Sequence, residues 1–135
     1  MNTLKGHITG INSSDMISLI TVDVDGDTFS SIILEGKSGE VNYKTGDQVN
    51  IFFKETEVGI AKGLSGLISF RNRFAGKINK IEKGDVLARI IMDYKGHTIG
   101  SIISTKSTEE MCLKRNELVE WLVKSSEVSL MDIQL

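Results

Sequence analysis

The chain repeats itself. Slid by 70 positions without gaps, it matches Gly6 to Gly76, Ile8 to Ile78, Ile11 to Ile81, Asp23 to Asp93, Gly26 to Gly96 and Thr28 to Thr98. The same offset aligns Ser31-Ile32-Ile33 with Ser101-Ile102-Ile103, Val49 with Val119, Lys54 with Lys124 and Glu57-Val58 with Glu127-Val128. So many identities in one ungapped register mark a tandem duplication, which limits the fold to two copies of one small unit. Residues 1–64 form the first expected domain and 65–135 the second. The joint Lys62-Gly63-Leu64-Ser65-Gly66-Leu67 is short, so the copies should pack together rather than swing freely.

Within each copy the apolar pattern reads as short strands. In the first, strands are expected at Lys5–Ile11, Met16–Val24, Thr28–Leu34, Gln48–Lys54 and Glu57–Ala61. The second gives Gly76–Ile81, Val86–Tyr94, Thr98–Ser104, Glu117–Lys124 and Glu127–Met131. Asp25-Gly26 and Lys95-Gly96 supply hairpin turns, because glycine takes a positive φ without steric cost. Ser107-Thr108-Glu109-Glu110 fits a capping box, predicting a helical turn through about Leu113. Asn116 stands where Gly46 opens the fourth strand, and asparagine tolerates left-handed geometry. Thirteen glycines and no proline suit tight turns. The pattern predicts an all-β protein: two tandem, OB-like, five-stranded Greek-key barrels, each with a short helical turn. A ~60-residue barrel buries only about 60% of its unfolded surface, so pairing and further assembly should stabilise it.

Composition excludes several functions. Sixteen Lys plus Arg against 18 Asp plus Glu leave a net charge of -2, without the basic excess of a nucleic-acid binder. One cysteine and two histidines cannot build a four-ligand zinc site or an internal disulfide. No apolar run approaches the ~20 residues that span a membrane, and the Met1–His7 start lacks a signal-peptide core. A cytoplasmic protein is expected.

Local motifs that imitate known sites carry little weight. Gly36-Lys37-Ser38-Gly39 resembles the end of a phosphate loop but lacks its earlier glycine. Asp23-Val24-Asp25-Gly26-Asp27 lacks the closing glutamate of a calcium loop and suits a hairpin turn. His7 and His97 occupy unmatched repeat positions, with no evident nucleophile or paired carboxylate, and are expected at the surface. Cys112 is expected as a small apolar residue ending the helical turn. Trp121 and Phe52-Phe53 alternate with polar residues and read as core or interface packing. No constellation supports an enzyme.

One constellation is rich in donors and poor in acids: Ser69, Arg71 and Asn72 opening the second copy, Ser104 and Ser107 around its helical turn, and Lys124 and Ser125 ending its fourth strand. In a Greek-key barrel these places can converge. A tetrahedral oxyanion is a pure acceptor and needs such a shell. Hydrogen bonds to a charged group contribute about 1.5–3 kcal/mol each, so five or six give roughly micromolar affinity or better after the costs of binding. The residues alone leave a second reading open, in which Ser69 and Asn72 cap turns while Arg71 and Lys124 are merely solvated.

The run Ser69-Phe70-Arg71-Asn72-Arg73-Phe74-Ala75-Gly76 resembles the Ser-Ala-Arg-Asn…Gly opening of the Mop/TOBE domains, the molbindins. Ser104-Thr105-Lys106-Ser107 is similar to their Thr-x-x-Ser stretch, and Val123-Lys124-Ser125-Ser126-Glu127-Val128 to their Val-Lys-Ala/Ser-x-x-Val ending. The resemblance implies a non-catalytic, cytoplasmic protein that stores or buffers molybdate or tungstate at domain interfaces. The alternative it implies is an anion-sensing module acting in trans with a molybdate regulator or transporter. It implies a homo-oligomer, a trimer before a dimer, without nucleic-acid or membrane partners. It makes Ser69, Arg71, Lys124 and Ser125 anion ligands, with Ser104 and Ser107 contributed across an interface. The first copy departs from the pattern: its Ser-x-Arg-Asn stretch is expected to fall before Met1, Leu34 and Lys37 replace Ser104 and Ser107, and Glu55 follows Lys54. It is therefore expected to be mainly structural, so that sites number fewer than domains.

Overall fold

Alternation of apolar residues sets the strands. In Ile17–Val24 every second residue, from Ser18 to Val24, is buried. Two copies of a five-stranded set result in a computed structural model that describes residues 1–34 and 42–133. The first set comprises β1 (Asn2–Ser14), β2 (Ile17–Val24), β3 (Asp27–Leu34), β4 (Gln48–Phe53) and β5 (Gly59–Ala61). The second comprises β6 (Asn72–Lys83), β7 (Leu87–Tyr94), β8 (His97–Ser104), β9 (Leu118–Val123) and β10 (Ser129–Asp132), with α1 (Thr105–Glu110) between β8 and β9. Short 3-10 turns at Glu55–Glu57 and Ser125–Glu127 precede the last strand of each copy.

The repeats are more alike than their identities suggest. β1 and β6 each bend through an irregularity at matching places, Ile8/Gly10 and Ile78/Lys80, as expected where one sheet curls into a half-barrel. Gly46 and Asn116 both take positive φ, 98° and 72°, and both backbone nitrogens bond to the matching carbonyls of Ile8 and Ile78. Asparagine at 116 thus does what glycine does at 46. The hairpin turns also match, with φ of 50° at both Asp25 and Lys95.

The fifth strands are exchanged. One half-barrel has strand order β10-β4-β1-β2-β3 and the other β5-β9-β6-β7-β8. β10 pairs with β4 (Ser129↔Phe52), and β5 pairs with β9 (Gly59↔Leu122). Sequence reading places each fifth strand with its own copy; in space each completes the other copy's sheet. The repeat boundary at 64/65 is therefore a boundary of sequence, not of sheet. A 3-10 turn steers each chain across, and a buried valine follows each turn, Val58 and Val128. Ser101 Oγ donates to Val58 O (2.6 Å) and Ser31 Oγ to Val128 O (2.5 Å), fixing each crossing segment to the other repeat's third strand.

Both half-barrels share one core. Trp121, fully buried, stacks on Phe53 at 5.7 Å and meets Phe74 and Tyr94 at 5.2 Å, while Phe29 stacks on Phe74 at 4.2 Å. These rings come from both repeats, so the aromatic cluster is the seam between them. Gly76 makes room, since a Cβ there would sit 2.9 Å from Trp121 Cδ1. The hairpin turns are complementary in charge: Lys95 Nζ pairs with Asp27 (3.1 Å) and His97 Nε2 with Asp25 (2.6 Å). His97 thus has the carboxylate partner that sequence reading did not find, because the partner lies in the other repeat. Tyr94 OH donates to Asp27 (2.5 Å), which holds that carboxyl below its usual range, while burial first and Asp27 second push the Tyr94 phenol up.

Three local expectations change. The helix cap is Ser104, whose Oγ accepts from Ser107 N, so Ser107 is the third helical residue rather than the start. The helix ends at Glu110, and Cys112 follows it at φ 51°, exposed in the reversing turn rather than packed as an apolar residue. The phosphate-loop look-alike at Gly36–Gly39, Lys37 and the helical turn expected in the first copy lie outside the described residues. Among the described residues no helix is long and apolar enough to cross a membrane.

Candidate anion-binding site

The β6–β9 ladder ends at the pair Asn72↔Val123. The next residue outward on each strand is Arg71 on one side and Lys124 on the other. Arg71 lies in a bend just beyond the last pair and Lys124 just beyond its partner, so both cations flank this end of the ladder. Among the described residues neither has a carboxylate within ion-pair distance, whereas Arg73 is paired with Glu120, Arg89 with Glu55 and Lys62 with Glu117. An unpaired Arg–Lys couple is therefore a place that gains from a bound anion.

Arg71 and Lys124 are exposed, and Ser125 is buried at the start of the second 3-10 turn. Ser69 lies exposed in the bend two residues before Arg71. Asn72 has a different task. Fully buried, its Oδ1 accepts from Ser30 N (2.7 Å) and its Nδ2 donates to Ser30 O (2.8 Å). That clasp fixes the first residue of β6, next to Arg71, and uses both ends of the carboxamide on the other repeat's third strand.

Ser104 and Ser107 do not join this group within one chain. Ser104 pairs with Leu87, at the end of the sheet where β6 finishes at Lys83, whereas Arg71 precedes its start at Asn72. β6 is 12 residues long, roughly 35 Å if straight. The expected convergence inside one barrel is thus corrected: the two hydroxyls, 2.9 Å apart, sit at the opposite end. Beside them Val86 and Leu87 are exposed.

The first repeat has a partial counterpart. Asn2 stands at the position of Asn72, its Oδ1 accepting from Gly100 N and its Nδ2 donating to Gly100 O, both at 2.8 Å. The motif's asparagine is therefore present, correcting the expectation that the whole stretch precedes Met1; the 70-residue offset already pairs the two residues. Lys54 matches Lys124, and Glu55 takes the place of Ser125. Glu55 Oε1 accepts from Arg89 Nε at 2.6 Å, and this bond holds its carboxyl below the usual carboxylate range. Sequence reading missed Arg89 and Gly100, which become visible only when both repeats are folded face to face. A cleft of about 220 Å³ between the two 3-10 turns carries Lys54 and Ser126 but also Glu57 and Glu127, a mixed lining that does not favour a dianion. Among the described residues no group of three or more His, Cys, Asp or Glu is placed to hold a bare metal ion.

Known proteins share the family and the fold of this chain. The TOBE domain model matches residues 68–130. The chain is 37% identical over 65 residues to molybdenum-pterin-binding protein 2 of Clostridium pasteurianum, covering 47% of this chain and 96% of that protein. Molybdenum-pterin-binding protein 1 of the same organism is 34% identical over the same length and shares. The fold matches a crystal structure of the cytoplasmic molybdate-binding protein ModG with molybdate bound, at a TM-score of 0.91, 21% identity, and coverage of 98% of this chain and 96% of that one.

Proposed function

This chain belongs to the TOBE family of Mop-type domains, and from that premise we propose that it binds molybdate as an intact oxyanion without transforming it. The observation that carries the proposal is that Arg71 and Lys124 both flank the Asn72↔Val123 end of the β6–β9 ladder, without a carboxylate partner among the described residues. A tetrahedral dianion satisfies both at once, and the buried Ser125 adds a hydroxyl donor. Ser69, one bend away, is the remaining donor of this half-site.

Ser104 and Ser107 complete the shell from a second copy of the chain. Two features support this. The pair lies beside exposed Val86 and Leu87, and the first repeat carries a larger apolar strip in which Ile17 opposes Leu34 and Leu19 opposes Ile32 across β2 and β3. Strips of this kind on an otherwise polar surface mark contact faces. A closed ring of three copies would cover them and bring one copy's hydroxyls to the next copy's cations. Assembly then controls binding, which suits a cytoplasmic store or buffer of molybdate, and tungstate shares the required geometry.

Selectivity follows from donors alone. Phosphate carries a proton that needs an acceptor, and the half-site offers no carboxylate to take it, only serine hydroxyls. Sulfate has the same charge and shape as molybdate but is smaller, so fixed donors discriminate by cavity size. Calorimetric titration with molybdate, tungstate, sulfate and phosphate tests the proposal: tight binding of the first two and weak binding of the others supports it, and equal weak binding of all four defeats it.

A further inference from the structure

In the first repeat the place of an anion is already taken. Glu55 stands at the position of Ser125, its side chain only 14% exposed, and its carboxylate accepts from Arg89 Nε at 2.6 Å and Arg89 Nη2 at 3.4 Å. Three positions differ together from their repeat counterparts to allow this. Arg89 matches Leu19, so the guanidinium exists in one repeat only. Gly100 matches Ser30, and a Cβ at 100 would collide with Glu55 Oε1. Glu55 without Arg89 would keep only the Met1 terminal ammonium, 3.3 Å from Oε2, as a counter-charge, and opposite a serine it would have to move its carboxyl. The other side of the molecule has the converse set, Ser125 with Leu19 and Ser30, leaving Lys124 free of a carboxylate.

We propose that Glu55 is a built-in ligand: its carboxylate fills the first repeat's counterpart of the anion site, with Arg89 as its cation, and closes a latent second oxyanion site. The occupant displaced is of the class the second repeat takes, a tetrahedral oxyanion, and this much rests on the proposed function; the filling of the site by carboxylate does not. One chain then offers one open half-site and one sealed one. The sealed copy also ties β7 to the 3-10 turn of the other repeat, which an exchangeable anion would leave dependent on supply.

E55S installs the residue of the second repeat and frees the Arg89 guanidinium from its carboxylate. Molybdate titrations of R71A, E55S/R71A and E55S/R71A/R89A isolate the first-repeat site, because R71A silences the other. The expected result is binding by E55S/R71A at least tenfold tighter than by R71A, lost again on removing Arg89. Equal binding by E55S/R71A and R71A overturns the inference whatever the wild-type chain does, whereas failure of wild type alone counts against the function proposed for the second repeat. Should E55S not fold, E55Q/R71A keeps the shape and frees the guanidinium: its melting temperature should rise with molybdate more than that of R71A. No greater rise than in R71A overturns the inference equally.

Discussion

Asn72 grips Ser30 with both ends of its carboxamide, and across the molecule Asn2 grips Gly100 in the same way. Each clasp gives a strand of one repeat a substitute for the backbone partner it lacks at the seam. Asn72→Ala leaves a buried N–H and C=O of Ser30 unpaired, which costs about 2–4 kcal/mol. Urea unfolding should show that loss for N72A and a similar one for N2A. N72D should be worse than N72A, because a carboxylate faces the Ser30 carbonyl.

Exposed Arg71 packs against little, so its role separates from stability. R71A should weaken molybdate binding at least tenfold while leaving the melting temperature of the ligand-free protein within a degree or two. Arg71→Lys keeps the charge but loses the planar fork and should recover only part of the affinity. Titration calorimetry and differential scanning calorimetry of the same samples read both effects.

Acid should loosen the seam through Glu55. Arg89 depresses its carboxyl pKa in the folded chain, so the pair contributes stability that is present above the unfolded pKa of about 4.5 and disappears as pH falls through the lower folded value. Wild type should therefore lose melting temperature below about pH 4.5 more steeply than E55Q. Parallel curves for the two proteins would show that the pair contributes nothing.

Gly76 faces Trp121 too closely for a methyl group. Gly76→Ala should cost about 1–3 kcal/mol by overpacking. The indole reports it directly: wild-type emission should be blue-shifted, as for a fully buried ring, and the variant's should move to the red.

Strand exchange makes neither repeat complete alone. A fragment of residues 65–135 lacks β5, which closes its sheet, and carries β10, which belongs elsewhere. Two such fragments can satisfy each other, so sedimentation should find a dimer or larger species rather than a folded monomer.

The duplication and the strand set were legible because they rest on local features: a constant offset and period-two alternation. Asn116 was legible for the same reason, as a residue that tolerates the φ that Gly46 takes. The exchange of β5 and β10 was not, since nothing in Gly59-Ile60-Ala61 distinguishes pairing with β4 from pairing with β9. The clasp of His97 on Asp25 and the pairing of Glu55 with Arg89 were hidden likewise, because each joins residues of different repeats. Ser104 and Ser107 resembled ligands of the same half-site by sequence order, yet the length of β6 holds them at the far end of the sheet.

The central claim is that molybdate sits between Arg71 and Lys124. A crystal structure of the protein grown with molybdate, located by the anomalous signal of molybdenum, tests it most directly. The ion should lie within hydrogen-bonding distance of Arg71, Lys124 and Ser125 of one copy, with Ser104 and Ser107 of a neighbour completing its shell. Molybdenum found elsewhere, with both cations extended into solvent, would contradict it.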